Sequence, residues 1–276
     1  MTIDPNDSPA AERPRLFLVH IPKTGGTTFK RTLNDVRWLD GHRAWLDHDF
    51  DPALNPGFEG SIRVSGGHRT WEHYGVLPGN WSPVVLLRDP LQRTLSHYSF
   101  VRKRFARNEL PPDFRPLGQE VATRSLPDLV RDPNSRFFGW SGSIQTRFIA
   151  GESPNRPPGA ESPAGLLDPR AMRRALMVAM ERLEETVWIG RTEHLARDLQ
   201  TLAIQQGWPS LGPVRHANMV HPSCRVQPED LDGETLRSLE ERLEADYLLV
   251  DRAEEIARER HHAAVEGLLA LRGRVP

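Results

Sequence analysis

Apolar residues along this chain fall into short unbroken runs and into stripes at helical spacing, and the two patterns alternate. Arg15-Leu16-Phe17-Leu18-Val19-His20-Ile21, set between Pro14 and Pro22, is a run without polar alternation. That is the pattern of a strand covered on both faces, as in a parallel sheet, and it predicts the first strand. Beyond the loop at 23–26, Phe29, Leu33 and Val36 recur at i, i+4 and i+7 and predict an amphipathic helix with its stripe turned to the sheet. Ile62–Val64, Val84–Leu87 and Val187–Ile189 read as further strands. Asp89-Pro90 supplies an N-cap and a first-turn proline for a helix reaching about Arg104. Helices are also predicted over Ala171–Glu185 and over Glu193–Gln206, where Leu195, Leu199 and Leu202 share one face. From Glu229 to Arg272 the pattern predicts one or two long charged helices, with Leu236, Leu239, Leu243 and Leu248 packing onto the body.

Strand and helix in repeated succession predict the α/β class: a P-loop-like, three-layer fold with a central, mostly parallel sheet flanked by helices. Residues 1–14 read as a disordered N-terminus and 15–276 as a single domain, with the Pro- and Gly-rich stretch 151–169 as a mobile loop. Residues 38–60 read as irregular structure with at most one short helix.

Composition narrows the function by exclusion. Thirty-six Lys and Arg face 37 Asp and Glu, so no bulk field draws nucleic acid or an anionic membrane, and any anion site must be built locally. The single cysteine, Cys224, excludes an internal disulfide and a cysteine-based zinc cluster, and no metal centre is expected. The first fourteen residues hold no apolar stretch of signal-peptide length, and no segment approaches the roughly 18 apolar residues of a membrane helix. A soluble, cytoplasmic protein is expected.

Two motifs carry chemistry. In the first, Lys23-Thr24-Gly25-Gly26-Thr27-Thr28 joins the first strand to the first helix. A helix N-terminus placed there presents unpaired N–H groups and the positive end of the macrodipole to an anion. Gly25 and Gly26 permit close backbone approach, Lys23 adds a full positive charge, and the hydroxyls of Thr24, Thr27 and Thr28 add donors. Nucleotide-hydrolysing P-loops place the lysine after the glycines; the order here is reversed, which speaks against a kinase or ATPase. In the second motif, Arg88-Asp89-Pro90 ends a strand, and Ser96 follows Arg88 by eight residues, two turns into the helix. Arg88 suits a bidentate phosphate contact and Ser96 a hydroxyl one.

His20-Ile21-Pro22-Lys23-Thr24-Gly25-Gly26-Thr27-Thr28-Phe29 resembles the 5'-phosphosulfate loop of the Golgi-type carbohydrate sulfotransferases, especially the heparan sulfate 6-O-sulfotransferases, with Pro22 closer to their 2-O relatives. Arg88, Asp89-Pro90 and Ser96 resemble the 3'-phosphate motif of enzymes using 3'-phosphoadenosine-5'-phosphosulfate (PAPS). The resemblance implies that Lys23 to Thr28 hold the 5'-phosphosulfate and Arg88 and Ser96 the 3'-phosphate. Lys23 would also assist the leaving phosphate, and 3',5'-ADP would be the product. Val64-Ser65-Gly66-Gly67-His68-Arg69-Thr70-Trp71 resembles a Gly-x-His-x-x-Trp segment of the 6-O enzymes, which implies that His68 is the catalytic base. Trp71 is then either a sugar-stacking platform or a core side chain. Asn134–Gly151, with Gln145-Thr146-Arg147-Phe148, resembles a segment near the acceptor cleft; 216–225 falls where relatives supply a loop over the adenosine, without a residue-by-residue match, and Arg215 is the candidate for that role.

The expected function is sulfuryl transfer from PAPS to a hydroxyl of a glycan or glycosylated metabolite. Two other classes stay open: a P-loop-type nucleotide kinase or hydrolase, and a non-catalytic PAPS- or glycan-binding module. Neither the acceptor nor the oligomeric state is encoded in a motif.

Overall fold

The computed structural model describes residues 15–34, 43–44, 62–68, 70–75, 77, 80–152, 168–208, 211–214 and 225–272. The expectations for residues 1–14, most of 38–60, 153–167, Val36, Arg215 and Cys224 lie outside the described residues.

Five parallel strands form one sheet: β1 (Arg15–Val19), β2 (Arg43–Ala44), β3 (Ile62–Gly67), β4 (Trp81–Leu87) and β5 (Trp188–Arg191), in the order β2-β3-β1-β4-β5. Why β1 reads as an unbroken apolar run is visible in its packing. Leu16 and Leu18 turn to one face, with Phe29 and Leu33 of α1 (Gly26–Asn34) and Leu195, Leu199 and Leu202 of α9 (Leu195–Gln205). Phe17 and Val19 turn to the other, against Ile144 and Phe148 of α7 (Ile144–Ile149), Leu183 of α8 (Pro169–Glu185) and Leu249 of α11 (Glu244–Arg272). Both faces are covered, so period-two alternation would bury polar side chains. The α/β three-layer expectation holds. β1 is central, and the chain builds outward from it in both directions, which makes the β1–β4 boundary the topological switch where open α/β sheets bind ligands.

A second body of helices stands beside the sheet. α3 (Pro90–Ala106), α4 (Arg115–Thr123), α5 (Leu126–Arg131), α6 (Arg136–Ser141) and α10 (Gly233–Arg242) share a core of Leu95, Tyr98, Val121, Leu129, Phe137, Phe138 and Leu239. Within it α2 (Trp71–Gly75) takes no part; it packs on β1 instead. The sequence predicts α3 but none of α4 to α7; α5 to α7 have only six residues each, too few to repeat an apolar stripe. Their caps are local: the Ser125 and Ser135 side chains accept hydrogen bonds from the N–H groups of Asp128 and Phe138.

The charged C-terminal stretch forms two helices, broken at Leu243. Leu239 and Leu243 are buried as expected, but Leu248 is 45% exposed. The break resets the helical phase, so the seam continues through Leu249, Val250, Ala253 and Ile256. No helix among the described residues is long and apolar enough to cross a membrane.

Candidate functional site

Because all strands are parallel, β1, β3 and β4 deliver their following residues to one edge of the sheet. The loop after β1 turns sharply there. Lys23 has φ 74° and Gly25 φ 94°, both left-handed, which glycine adopts freely and lysine only under constraint from its surroundings. The Thr24 hydroxyl donates to the Ile21 carbonyl at 2.9 Å and is fully buried, so this side chain shapes the loop and does not offer its hydroxyl to the cleft. Thr192, after β5, donates to the carbonyls of Thr24 and Leu87 and so braces the loop against the end of β4. Gly26 opens α1, whose first turn has no acidic residue. Lys23, Gly25 and Thr27 are half-buried, while Thr24, Gly26 and Thr28 are buried.

Arg88 follows β4 and reaches across to that loop: its Nη1 donates to the Lys23 carbonyl at 3.1 Å. Its backbone is held at both ends by Gln145, which accepts from the Arg88 N–H and donates to the Arg88 carbonyl, each at 2.9 Å. Gln145 is fully buried in α7. The Gln145-Thr146-Arg147 segment therefore does not line an acceptor surface. Thr146 binds Asp246 of α11, and Arg147 donates to the carbonyls of Gly139, Trp140 and Gly142 at the end of α6. All three side chains are interior braces. Ser96 lies half-buried on the second turn of α3, and among the described residues its hydroxyl has no hydrogen-bond partner.

The electrostatics of this edge are weighted toward positive charge. Burial lowers the Lys23 pKa to about 8, with the charges of Arg88, Arg93 and Lys103 adding to the shift. Its ammonium rests 4.1 Å from the ring centroid of Phe100, one turn beyond Ser96 on α3. Arg93 is fully buried behind the site, bonded to Ser141 and lowered to about 10 chiefly by burial. Burial also lowers the Arg88 pKa, and Arg225, tied to Gln92 of α3 at 3.0 Å, lowers it further. Arg225 ends the stretch 216–225, which the sequence could not match residue by residue, and the return of the chain to α3 brings it to this edge. Two carboxylates counterbalance Arg88 from its outer side: Glu193, which accepts from the Asp89 N–H at 2.8 Å, and Asp89 itself. A cluster of donors and cations in a partly dry cleft is electrostatically incomplete until an anion enters. The donor set therefore fits an anionic group such as a phosphate or a sulfate ester.

His68 ends β3 on the same edge, half-buried, with its ring centroid 4.5 Å from that of His20. Trp71 is not a platform. It is 6% exposed, edge-on to Tyr74 at 5.4 Å and covered by the Arg182 guanidinium at 5.6 Å, a core residue of the layer under α8.

Comparison with known proteins agrees with this geometry at the level of family. The model of the sulfotransferase family matches residues 9–251. No curated protein matches the chain. The strand-end loop, the crossing arginine and the family match lead to one statement: the chain belongs to the sulfotransferase family.

Proposed function

We propose that this sulfotransferase uses PAPS as donor and a hydroxyl of a glycan or glycosylated metabolite as acceptor, with His68 as the base. The supporting observation is the direction of the Arg88 guanidinium, which meets the glycine loop at the Lys23 carbonyl and makes one cleft of two motifs 65 residues apart. A donor with phosphate at its 3' position and phosphosulfate at its 5' position would place one anion on Arg88 and Ser96 and the other on Lys23, Gly25, Gly26, Thr27 and Thr28. When bound, PAPS supplies an activated sulfuryl group and a phosphate leaving group.

The protein's own residues then have separable tasks. Lys23, whose pKa burial lowers to about 8, keeps its charge near neutral pH and gains a partner when an anion arrives, and it opposes negative charge growing on the leaving oxygen. Arg88 recognises and orients through a fork whose backbone Gln145 prevents from swinging. His68, half-exposed at the end of β3, can take the proton of a hydroxyl entering from solvent.

Transfer from labelled PAPS to a panel of hydroxyl acceptors, read by mass spectrometry as a gain of SO3, tests the activity directly. Calorimetry should show 3',5'-ADP binding in clear preference to ATP and GTP. His68→Ala should keep 3',5'-ADP affinity and lower turnover roughly 10²- to 10⁴-fold, the range for loss of a general base. Unchanged turnover in that variant would remove His68 from the mechanism.

A further inference from the structure

The ring beside His68 belongs to His20, the last residue before the phosphate loop turns. The two centroids are 4.5 Å apart and the planes tilt by 53°. The His20 backbone N–H donates to the Gly67 carbonyl at 3.2 Å, so the two residues stand side by side at the ends of neighbouring strands. On its other side the His20 ring covers the start of α1: a Cβ added at Gly26 would lie 1.9 Å from its Nε2. His20 is 8% exposed, whereas His68 is half-buried. One imidazole is thus open to an incoming hydroxyl, and the other is enclosed between it and the anion loop.

Resting on the reading of His68 as base, we propose that His20 and His68 act as one acid–base unit holding a single proton, which His68 receives and His20 shares. Two imidazoles at this separation repel one another when both are charged, so their titrations are coupled and the second proton is suppressed. The surroundings act in the same direction. Lys23 lies on the loop that follows His20, and the positive end of α1 begins at Gly26 under its ring. His73 of α2 is turned to the Thr70 hydroxyl at 3.4 Å. During transfer, the acceptor oxygen bonds to sulfur while the bond from sulfur to the 5'-phosphate oxygen breaks, its electron pair staying with the phosphate. The acceptor's proton passes to His68, is shared with His20, and is lost to water after the products leave.

The test compares kcat against pH for the wild type, His20→Gln, His20→Phe and His68→Ala, with 3',5'-ADP affinity measured alongside. The wild-type acid limb should follow one proton and steepen toward two only at lower pH, where the suppressed second proton binds. Both His20 variants should show a single-proton limb and a maximal kcat lower by about 10- to 100-fold, with 3',5'-ADP affinity held within about threefold. A wild-type limb in the His20 variants, or loss of 3',5'-ADP affinity together with kcat, would overturn the pairing and leave His68 as base. An active His68→Ala would overturn the base assignment and the pairing with it. Imidazole titration by NMR in the unmodified protein decides the matter without any variant: two interdependent steps support the unit, and two independent ones refute it.

Discussion

The β1–α1 and β4–α3 junctions face each other across the cleft and are built differently. α1 starts on a glycine with no acidic residue in its first turn, so the positive end of its dipole is left for a ligand. α3 starts on Pro90, and Asp89 caps it by accepting the Gln92 N–H at 2.7 Å. That helix end already has its anion, and the junction works instead through the Arg88 side chain, clamped by Gln145. One junction offers backbone and dipole, which suit any tetrahedral anion; the other offers a positioned fork, which suits one phosphate in one place. On the proposed reading, affinity for phosphate-like groups belongs to the first, and discrimination among nucleotides to the second.

Four measurements can break or sharpen that division. Lys23→Ala should have the largest effect, lowering turnover with labelled PAPS by roughly 10²- to 10³-fold, as for loss of one preorganised charge at a developing anion. Turnover within tenfold of wild type would mean that the first junction works by backbone alone. Arg88→Ala should weaken 3',5'-ADP binding by about 1.5–3 kcal/mol, roughly 10- to 150-fold, and leave ATP binding almost unchanged. An equal loss for both nucleotides would erase the proposed discrimination.

A smaller effect follows from Lys23 and pH. In the free protein its pKa is lowered to about 8, and a bound anion must raise it. Below pH 8 Lys23 is charged in both states, so its contribution to 3',5'-ADP affinity is constant. Above pH 8 the free protein loses the proton first, and affinity should fall by up to about tenfold per pH unit until the bound-state pKa is reached. Calorimetry between pH 7.5 and 9.5 should show proton uptake on binding, and a flat profile would contradict it. Asp89→Ala should be the mildest: loss of the cap costs about 1 kcal/mol of stability in a denaturant titration, with 3',5'-ADP affinity held within about threefold. A large change in affinity would mean that the two junctions are not separable.

Much of the sheet was legible because burial on both faces forces apolar runs, as in β1, β4 and the start of β5, whereas β3 carries Arg63 and Ser65 and shows only Ile62 and Val64. The glycine loop and Arg88 could be placed for a related reason: each follows closely on its strand, so finding the strand end finds the group. His68 came from resemblance, and what the structure adds is its neighbour. Gln145, Thr192, Arg225 and the contact between His20 and His68 were not legible, since each depends on a partner at least 48 residues away in the chain. Trp71 shows the same limit from the other side. Its identity allowed a sugar platform or a core position, and only the cover provided by Arg182, from the distant α8, decides for the core.

By itself the sequence determined the succession of β1, α1, β3, β4, α3, α8, β5 and α9, the reversed glycine loop and the residues after β1 and β4, because these depend on spacing and on covalent neighbours. The tertiary structure alone decided which strand ends share an edge, how far Lys23 is buried among positive charges, and which histidine stands against which. The physical reason is that desolvation and electrostatic coupling act over distances in space, between groups that the chain holds far apart until it folds.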